Sequence, residues 1–321
     1  MPTFSIIIPN WNGRQHLETC LPSLRCQRYR NFEVILVDNG SSDGSQAYVR
    51  ESFPEVRLVE LGENRGFTGA CNAGHQLAGG AYIVLLNNDT EAEPGWLAAL
   101  ASAFSRHPRA GILASKLLLF DRRDHFHAAG DYYRLDGIPG NRGVWEQDIG
   151  QYDREEPVFG ACAAAAAYRR EMLDQIGFLD GDFYFSCEDV DLAWRANLAG
   201  WRVVYVPRAV VYHKLKATGG SVTGSYYDGR NFLYLIWKNY PGPLLRRHWR
   251  LLLLAQVQIT LEALGAWRGA AARARLRGQL AGLLGLPRMW RKRRPIQHSR
   301  RISTDSLTAR LTPVDSPERR R

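Results

Sequence analysis

Three continuous apolar runs near the start of the chain place the strongest constraint on how it can fold. They are Phe4–Pro9, Phe32–Val37 and Ala81–Leu86. A strand with one face in water alternates apolar and polar residues, whereas a strand covered on both faces is apolar throughout. The segments between these runs have the spacing of amphipathic helices. The pattern therefore predicts an α/β fold, with a Rossmann-like, mostly parallel sheet that helices cover on both faces.

Two acidic residues directly follow predicted strands. Asp38 follows the second apolar run, and Asp89 ends the triplet Asn87-Asn88-Asp89 after the third. In open parallel sheets, ligands bind at the carboxyl ends of the strands. Amide and carboxylate oxygens are also the ligands that Mg²⁺ and Mn²⁺ prefer, commonly together with substrate phosphates. Both aspartates are therefore candidate site residues, with a simple polar turn as the alternative for each.

A second acidic cluster begins about a hundred residues beyond Asp89, and it consists of Glu188, Asp189 and Asp191 among aromatic and apolar neighbours. Burying several carboxylates in such surroundings is costly unless a metal, hydrogen bonds or catalysis compensate. One cluster can hold a metal-bound leaving group while the other supplies a base. Together the two clusters predict a transferase that acts on a nucleotide-activated substrate.

Two segments rich in glycine and small polar residues extend the candidate site. In Asp38–Ser45, a strand-to-helix turn, Asp38 could accept hydrogen bonds from a base or ribose. In Asn64–Gly74, Gly66 permits close backbone approach to a ligand and Arg65 could meet phosphate. A capped turn and tight helix–sheet packing are the alternatives. No GxGxxG motif precedes Asp38, so a dinucleotide-binding site is disfavoured.

The remainder of the first 240 residues is less specific. Residues 121–157 are predicted to form an irregular insertion that carries acceptor contacts. Gly160–Ala167 is a run of small residues, either a closely packed buried element or room for a substrate. His213 follows an apolar run and could add an imidazole ligand, although a single histidine after a strand is often structural.

Positive charge is concentrated at the C-terminal end. Residues 241–321 contain 18 Lys and Arg against 4 Asp and Glu, a net charge of +14, whereas residues 1–240 have a net charge of −4. Leu244–Leu264 has apolar helical spacing beside Arg246, Arg247 and Arg250. We expect amphipathic basic helices over 241–294 and a disordered tail over 295–321. The charge predicts an anionic partner, which could be a membrane surface, a nucleic acid or an acidic protein. Packing of Leu244–Leu264 on the catalytic domain is the alternative.

Targeting signals are not evident in this sequence. No segment reaches the roughly 18–20 apolar residues that cross a bilayer, and no basic stretch precedes the first apolar run. The five cysteines show no metal-ligand spacing, and their odd number without a signal peptide predicts reduced thiols in the cytosol. The expected location is the cytoplasm, with peripheral association at the inner face of the plasma membrane.

Taken in order, the motifs over residues 3–240 resemble family 2 glycosyltransferases of the GT-A fold, in the branch that includes bacterial rhamnosyltransferases. The ordered set is specific, although each motif alone is modest. The matching segments are Ser5–Asn12, Val37–Ser45, Asn64–Phe67, Asn87–Asp89, Glu188–Leu192 and His213. The resemblance implies a GT-A catalytic domain over 1–240, with the nucleotide-sugar half at about 1–120 and the acceptor half at 121–240.

The resemblance also implies a role for each matching position. Asp89 and His213 would hold Mg²⁺ or Mn²⁺, and Asp189 would be the catalytic base. Glu188 and Asp191 would support catalysis or bind the acceptor, with helix capping as the alternative. The first two positions of the DXD-like triplet are Asn, so Asp89 must carry more of the metal binding. The positions that would bind the nucleotide sugar are Pro9, Asn12, Asp38, Asn64, Arg65, Gly66, Asn87 and Asn88.

The implied reaction is an inverting transfer from a dTDP- or UDP-sugar, with dTDP-rhamnose first, to a glycan or lipid-linked glycan in cell-envelope polysaccharide synthesis. Two other classes compete with it. A metal-dependent nucleotidyltransferase would not account for the second acidic cluster. A non-catalytic nucleic-acid-binding protein with a basic tail would lack a recognition motif, so no nucleic-acid partner is expected.

Overall fold

Strands and helices alternate through the first part of the chain, and helices alone follow towards the end. The computed structural model describes residues 2–214 and 222–314. The strands are β1 Phe4–Asn10, β2 Phe32–Asp38, β3 Arg57–Glu60, β4 Tyr82–Leu86, β5 Thr90–Ala92, β6 Ala110–Leu119, β7 Phe126–Ala128, β8 Asp131–Tyr133, β9 Pro139–Asn141, β10 Glu156–Pro157, β11 Ala165–Arg169 and β12 Arg202–His213. The helices are α1 Arg14–Arg25, α2 Ser45–Ser52, α3 Gly66–Leu77, α4 Trp96–Arg106, α5 Arg170–Ile176, α6 Glu188–Leu198, α7 Val222–Asn239, α8 Gly242–Gly265, α9 Ala270–Leu284, α10 Leu286–His298 and α11 Thr304–Thr308.

A ten-stranded mixed sheet forms the centre, with the main order β10-β12-β6-β11-β4-β1-β2-β3. Strands β3, β2, β1 and β4 are parallel, as the apolar runs predict. Strand β11 is antiparallel to both of its neighbours, and β12 runs parallel to β6. The parallel part brings the carboxyl ends of β1, β2 and β4 to one edge of the sheet. The predicted mostly parallel α/β fold is confirmed.

Alternate residues of β1 enter two separate apolar cores. Ile6 and Ile8 belong to the core that contains Trp96 of α4, whereas Ile7 belongs to the core that contains Cys71 of α3. All five side chains are buried. Because both faces of the strand are covered, every position must be apolar, which explains the continuous runs in the sequence.

The insertion at 121–157 contains short strands that extend the second half of the sheet. Strand β7 pairs with β6, β10 pairs with β12, and β8 and β9 form a hairpin. Asp131 N in this hairpin donates a hydrogen bond to Gly160 O at 3.0 Å. The small residues that follow lead into β11, where Ala166 and Ala167 are fully buried. Close packing is thus one use of the small-residue run.

The C-terminal region packs as helices against α7. A Cβ atom at Gly278 of α9 would lie 2.0 Å from Tyr226 O of α7, so these two helices approach more closely than other residues allow. The structure differs from the disorder predicted from residue 295, because α10 and α11 continue beyond it. Leu307 is fully buried, and Arg310 Nη1 donates to Asn197 Oδ1 at 2.8 Å. The polar and basic composition of residues 295–321 gave no indication of these buried contacts. Residues 315–321 of the predicted tail lie outside the described residues.

Candidate active site

A chain of buried polar side chains joins the carboxyl ends of β1, β2 and β4. Asn88 Nδ2 donates to Asn10 Oδ1 at 2.7 Å, and Asn10 Nδ2 donates to Asp38 Oδ1 at 3.3 Å. All three side chains are buried. Pro9 lies beside Val37 in the β1–β2 pair. Asn10, which sequence reasoning did not select, therefore links two of the predicted donor-binding residues.

The loop after β2 is ordered by Asp38. Asp38 Oδ2 accepts hydrogen bonds from Ser41 N at 3.0 Å and from Gln46 Nε2 at 2.8 Å. On the β1 side, Asn12 has a φ of 50° and its Oδ1 accepts a bond from Ser42 N at 2.8 Å. A carboxylate oxygen can accept more than one hydrogen bond, so Asp38 Oδ1 retains capacity for a ligand donor.

The segment Asn64–Gly66 lies against the start of the same loop. Asn39 Nδ2 donates to Asn64 Oδ1 at 2.9 Å, and Arg65 N donates to Asn39 Oδ1 at 2.8 Å. The Arg65 side chain is exposed and pairs with Glu63 at 3.3 Å. An exposed pair of this kind contributes little free energy, so Arg65 can exchange Glu63 for a phosphate group.

Asp89 and His213 meet at the carboxyl ends of β4 and β12. Asp89 Oδ1 lies 3.0 Å from His213 Nε2, and both side chains are buried. Asn87 Nδ2 lies 3.5 Å from the same nitrogen. On the other side of the ring, His213 Nδ1 lies 3.0 Å from Nδ1 of His127. Burial and the neighbouring His213 lower the pKa of His127 to about 3, so His127 is neutral at pH 7.

The Asp89–His213 pair suits a divalent cation. A carboxylate oxygen and an imidazole nitrogen are ligands of Mn²⁺, and Mg²⁺ is commonly held by one or two carboxylates together with substrate phosphates. A hydrogen-bond partner on the outer ring nitrogen, as His127 is to His213, fixes the ring orientation. Within residues 2–214 and 222–314, no group of three or more His, Cys, Asp and Glu side chains is placed to hold a metal. The chain would thus supply two ligands, with phosphate and water completing the set.

Asp189 lies in the first turn of α6 and faces the segment that leads into β11. Its Oδ2 accepts a hydrogen bond from Ala163 N at 2.9 Å, and its Oδ1 accepts one from Val190 N at 2.7 Å. The adjacent Ala164 O accepts a bond from Asn87 N at 3.0 Å. The dipeptide Ala163-Ala164 therefore connects the two acidic clusters. Burial raises the pKa of Asp189, and the hydrogen bonds from Ala163 and Val190 oppose the rise.

Glu188 is more deeply buried than Asp189. Its Oε2 has no hydrogen-bond partner within the described parts of the chain. Burial and the charge of Asp189 raise the pKa of Glu188 well above its usual value. This shift favours the neutral form of Glu188, which cannot accept a proton, so Asp189 is the better candidate for the base.

A further carboxyl group near Asp189 was missed by sequence reasoning. Asp131 in β8 is buried, and Asn141 Nδ2 donates to its Oδ1 at 2.7 Å. Burial and the charge of Asp189 raise the pKa of Asp131 to about 8. The group also lines a cavity of about 390 Å³. At neutral pH Asp131 is thus a protonated acid that can donate a hydrogen bond near the candidate base.

Replacing Asp131 by Asn is expected to extend activity to higher pH. In the wild type, Asp131 loses its proton as the pH rises through about 8, which removes its hydrogen-bond donor and adds a charge near Asp189. Asn keeps a donor at every pH. The test is kcat/KM measured from about pH 6 to about pH 9.5. An identical alkaline limb in the variant and the wild type would contradict this role.

Asp191 does not face the site, contrary to its prediction as a supporting catalytic residue. The side chain is 0% exposed, and its carboxylate lies 2.9 Å from Arg195 Nε and 2.7 Å from Lys238 Nζ. Asn239 Nδ2 donates to it at 2.8 Å. Burial favours the neutral form, but Lys238 and Arg195 outweigh it and lower the pKa of Asp191. It does not cap α6 either, because the cap residue is Cys187. Asp191 therefore holds α6 to α7.

Replacing Asp191 by Asn is expected to lower the free energy of unfolding by about 3 kcal/mol, because it removes the carboxylate partner of buried Arg195 and one of the two carboxylate partners of buried Lys238, the other being Asp180. The depressed pKa means that the wild-type contribution is present above the unfolded-state pKa and is lost as the pH falls through the folded-state value. Urea unfolding at neutral pH measures the change. Glu55→Gln, which breaks an exposed pair with Arg25, is the control and should change stability far less. Equal losses in the two variants would contradict this assignment.

Sequence comparison identifies the family. The family model described as "Glycosyl transferase family 2" matches residues 5–177, more than half of the chain. The chain belongs to glycosyl transferase family 2. This family 2 enzyme is 32% identical over 236 residues to the N-acetylglucosaminyl-diphospho-decaprenol L-rhamnosyltransferase of Mycobacterium tuberculosis, covering 67% of this chain and 77% of that protein. It is 31% identical over 227 residues to the O-antigen biosynthesis protein RfbC of Myxococcus xanthus, covering 68% of this chain and 18% of that protein.

Solved structures show the same fold. The mannosyltransferase PcManGT from Pyrobaculum calidifontis, in complex with GDP-Man and Mn²⁺, has a TM-score of 0.57 at 19% identity and covers 96% of this chain and 86% of that chain. TarS residues 1–349 from S. aureus, in complex with UDP, has a TM-score of 0.56 at 18% identity, with coverage of 93% and 91%. The predicted GT-A fold is confirmed, and so is the predicted rhamnosyltransferase-like class of glycosyltransferase.

Proposed function

We propose that this family 2 glycosyltransferase transfers L-rhamnose from dTDP-rhamnose to a lipid-linked glycan in cell-envelope polysaccharide synthesis. The observation that carries the proposal is the link through Ala163-Ala164, which connects Asn87 of the Asp89 triplet with Asp189. Glycosyl transfer needs a place for the departing diphosphate beside a base for the acceptor hydroxyl. The sugar and acceptor are suggested by the name of the Mycobacterium relative. UDP-sugars are the next candidate donors.

Donor binding would use the edge formed by β1, β2 and β4. Asp38, with Asn12 across the loop, would contact the nucleobase or ribose, because its Oδ1 retains acceptor capacity. The exposed Arg65 would turn from Glu63 to the diphosphate. Gly66, at a φ of 73°, would let the backbone approach the donor closely.

Asp189 would act as the base of an inverting transfer. It would take the proton from the acceptor hydroxyl while the oxygen attacks the anomeric carbon on the face opposite the diphosphate, so the configuration inverts. Its raised pKa makes it a stronger base than an exposed carboxylate. Asp131, protonated at neutral pH, would orient the acceptor by donating a hydrogen bond.

Asp89 and His213 would hold Mg²⁺ or Mn²⁺, which when bound neutralises charge on the departing diphosphate. His127 would keep the His213 ring in place from its outer nitrogen. Asn88 is turned towards Asn10, so its amide supports the strand ends and leaves Asp89 as the carboxylate of the triplet.

The proposed reaction is tested with dTDP-L-rhamnose and a synthetic prenyl diphosphate that carries N-acetylglucosamine. The expected products are dTDP and a rhamnoside whose anomeric configuration, assigned by NMR, is opposite to that of the donor. Release of pyrophosphate from dTTP and rhamnose 1-phosphate, with no dTDP formed from dTDP-rhamnose, would support a nucleotidyltransferase. Retention of configuration would overturn the role of Asp189 as a base in a single displacement.

We propose further that the enzyme associates with the cytoplasmic face of the plasma membrane through α8. Within the described chain, no helix is long and apolar enough to cross a bilayer. Helix α8 buries only Leu244, Leu252 and Ala263. Leu251 and Leu254 are exposed, and five other exposed apolar residues recur every three or four positions and form one stripe, the α8 apolar stripe. The members of this stripe are Trp249, Leu253, Val257, Leu261 and Leu264.

An anionic bilayer is the partner whose chemistry fits the α8 apolar stripe. An exposed apolar surface of this extent on a soluble domain usually marks a binding surface. Arg246, Arg247 and Arg250 lie at the start of the same helix. Basic residues near an anionic bilayer contribute about 1 kcal/mol each, and apolar side chains enter the headgroup boundary.

The full-length enzyme is therefore expected to float with vesicles that contain phosphatidylglycerol and to do so less at high salt, because salt screens the arginines. Leu253→Glu with Leu261→Glu should abolish flotation. Ile149→Glu, a change at an exposed apolar residue of the insertion, is the matched control and should leave flotation intact. Equal flotation with anionic vesicles and with pure phosphatidylcholine would contradict an electrostatic attachment.

A further inference from the structure

The segment Phe183–Cys187, immediately before the candidate base, has an unusual backbone. Tyr184, Ser186 and Cys187 have φ angles of 60°, 67° and 67°. Residues other than glycine rarely adopt positive φ, and each such residue costs on the order of 1 kcal/mol or more unless its surroundings hold it. Because Glu188 and Asp189 follow it directly, the contacts that hold this segment also fix the start of α6.

One buried side chain, Asn231 of α7, holds the segment at three points. Asn231 Nδ2 lies 3.1 Å from Phe183 O, 2.9 Å from Phe185 O and 2.7 Å from Ser186 O. The side chain is 0% exposed. A side-chain amide nitrogen carries two hydrogens, so three carbonyls converge on one donor group. A carboxylate of the same size could not satisfy this arrangement, because it would turn oxygen towards oxygen.

Other residues of α7 near Asn231 also form hydrogen bonds with the segment Phe183–Cys187. Ser186 Oγ donates to Asp228 Oδ1 at 2.6 Å, and Arg230 Nη2 donates to Phe183 O at 2.7 Å. On α9, Arg275 pairs with Asp228 at 3.2 Å. Polar side chains of α7 thus contact the segment, and α9 fixes one of them, Asp228, through the ion pair with Arg275.

The other side of the segment contacts the predicted donor loop. Tyr184 O accepts a hydrogen bond from Thr68 N at 3.2 Å, and Tyr184 Oη lies 3.4 Å from Asn64 O. A Cβ atom at Gly66 would lie 2.6 Å from the Tyr184 ring. The segment therefore lies between α7 and the Asn64–Gly66 loop, and its far end begins α6 with the candidate base.

We propose that Asn231 is a positioning residue, which fixes the segment Phe183–Cys187 and thereby the place of Asp189. The inference rests on the proposed function, because it takes Asp189 to be the base. Asn231 acts through the backbone and does not contact the substrate. The Ala163 N–Asp189 Oδ2 hydrogen bond reports the position that Asn231 maintains.

The test is Asn231→Asp, which changes the donor into an acceptor at nearly constant size. The value of kcat should fall about 10- to 100-fold, as expected for a small displacement of a catalytic group. Donor binding should change less than kcat, because Asn39 holds the donor loop in addition to the contacts from Tyr184. The acid limb of kcat/KM should move to higher pH, because the hydrogen bond from Ala163 lowers the pKa of Asp189 and would be weakened.

Asn197→Asp is the matched control. Asn197 is equally buried, and its Nδ2 holds Phe159 O and Ala193 O at 2.8 Å near the other end of α6. This variant should lose stability yet keep kcat and the acid limb. If Asn231→Asp does not fold, Ser186→Ala, which removes one contact to the segment, should show the same changes to a smaller extent.

Hydrogen–deuterium exchange at the Ala163 amide separates this inference from the proposed function. Exchange should be faster in Asn231→Asp than in the wild type and unchanged in Asn197→Asp, whatever the substrate proves to be. Wild-type protein that turns over no nucleotide sugar would count against the proposed function alone. Unchanged Ala163 exchange in Asn231→Asp, or equal loss of kcat in the two variants, would overturn the positioning role.

Discussion

Replacing Asp189 by Asn is expected to lower the rate of sugar transfer about 10³-fold, within the range that general base catalysis contributes. The amide keeps the size of the side chain and its acceptor oxygen, so the hydrogen bond from Ala163 can persist. It cannot take a proton from the acceptor hydroxyl. Binding of dTDP, measured by calorimetry, should remain near the wild-type value, because the donor contacts lie on other loops.

The matched control for this experiment is Glu188→Gln. Burial and the charge of Asp189 raise the pKa of Glu188 well above its usual value, which favours the neutral form of the side chain. Glutamine reproduces that neutral state, and the expected change in kcat is less than about 10-fold. A loss in Glu188→Gln as large as that in Asp189→Asn would reassign the base to Glu188.

The second large effect is expected at the Asp89–His213 pair. Asp89→Ala removes the carboxylate of the triplet and should weaken binding of Mn²⁺, measured by paramagnetic resonance in the presence of dTDP, by more than about 100-fold. Transfer should fall with it. Chelation by EDTA should stop the wild-type reaction, and Mn²⁺ or Mg²⁺ should restore it.

Two further variants test the metal prediction, one at the second proposed ligand and one as a control. His213→Ala should show the same pattern, because its Nε2 lies 3.0 Å from Asp89 Oδ1. Glu91→Gln changes the charge two residues away, at a carboxylate paired with Arg123 instead, and should leave Mn²⁺ binding unchanged. Full activity of the wild type in EDTA, with no bound metal detected, would contradict the role proposed for the pair.

The first half of the fold could be predicted because its signals are local. Continuous apolar runs show where strands covered on both faces begin and end, and parallel pairing then places Asp38 and Asp89 at one edge of the sheet. Helix capping, the alternative given for Glu188 and Asp191, implies that a helix starts near these residues, and α6 begins at Glu188. The family match confirmed the class that the ordered motifs indicated.

The parts that sequence reasoning missed depend on distant contacts. Asp131 and His127 lie in the insertion, where no periodicity indicates which side chains face the site. Asp191 was misassigned because its partner Lys238 is far along the chain. Its other partner, Arg195, lies four residues away on the same helix, and that spacing is a signal that could have indicated a structural pair.

The measurement that tests the central claim most directly is release of nucleoside diphosphate from a panel of dTDP- and UDP-sugars, with Mg²⁺ or Mn²⁺ and with EDTA, by the wild type and by Asp189→Asn. Addition of the lipid-linked acceptor to each reaction ensures that turnover does not depend on slow donor hydrolysis. We predict metal-dependent release of dTDP from dTDP-rhamnose that is nearly lost in Asp189→Asn. Release from a different donor alone would contradict the choice of sugar, and equal release by the wild type and Asp189→Asn would contradict the catalytic account.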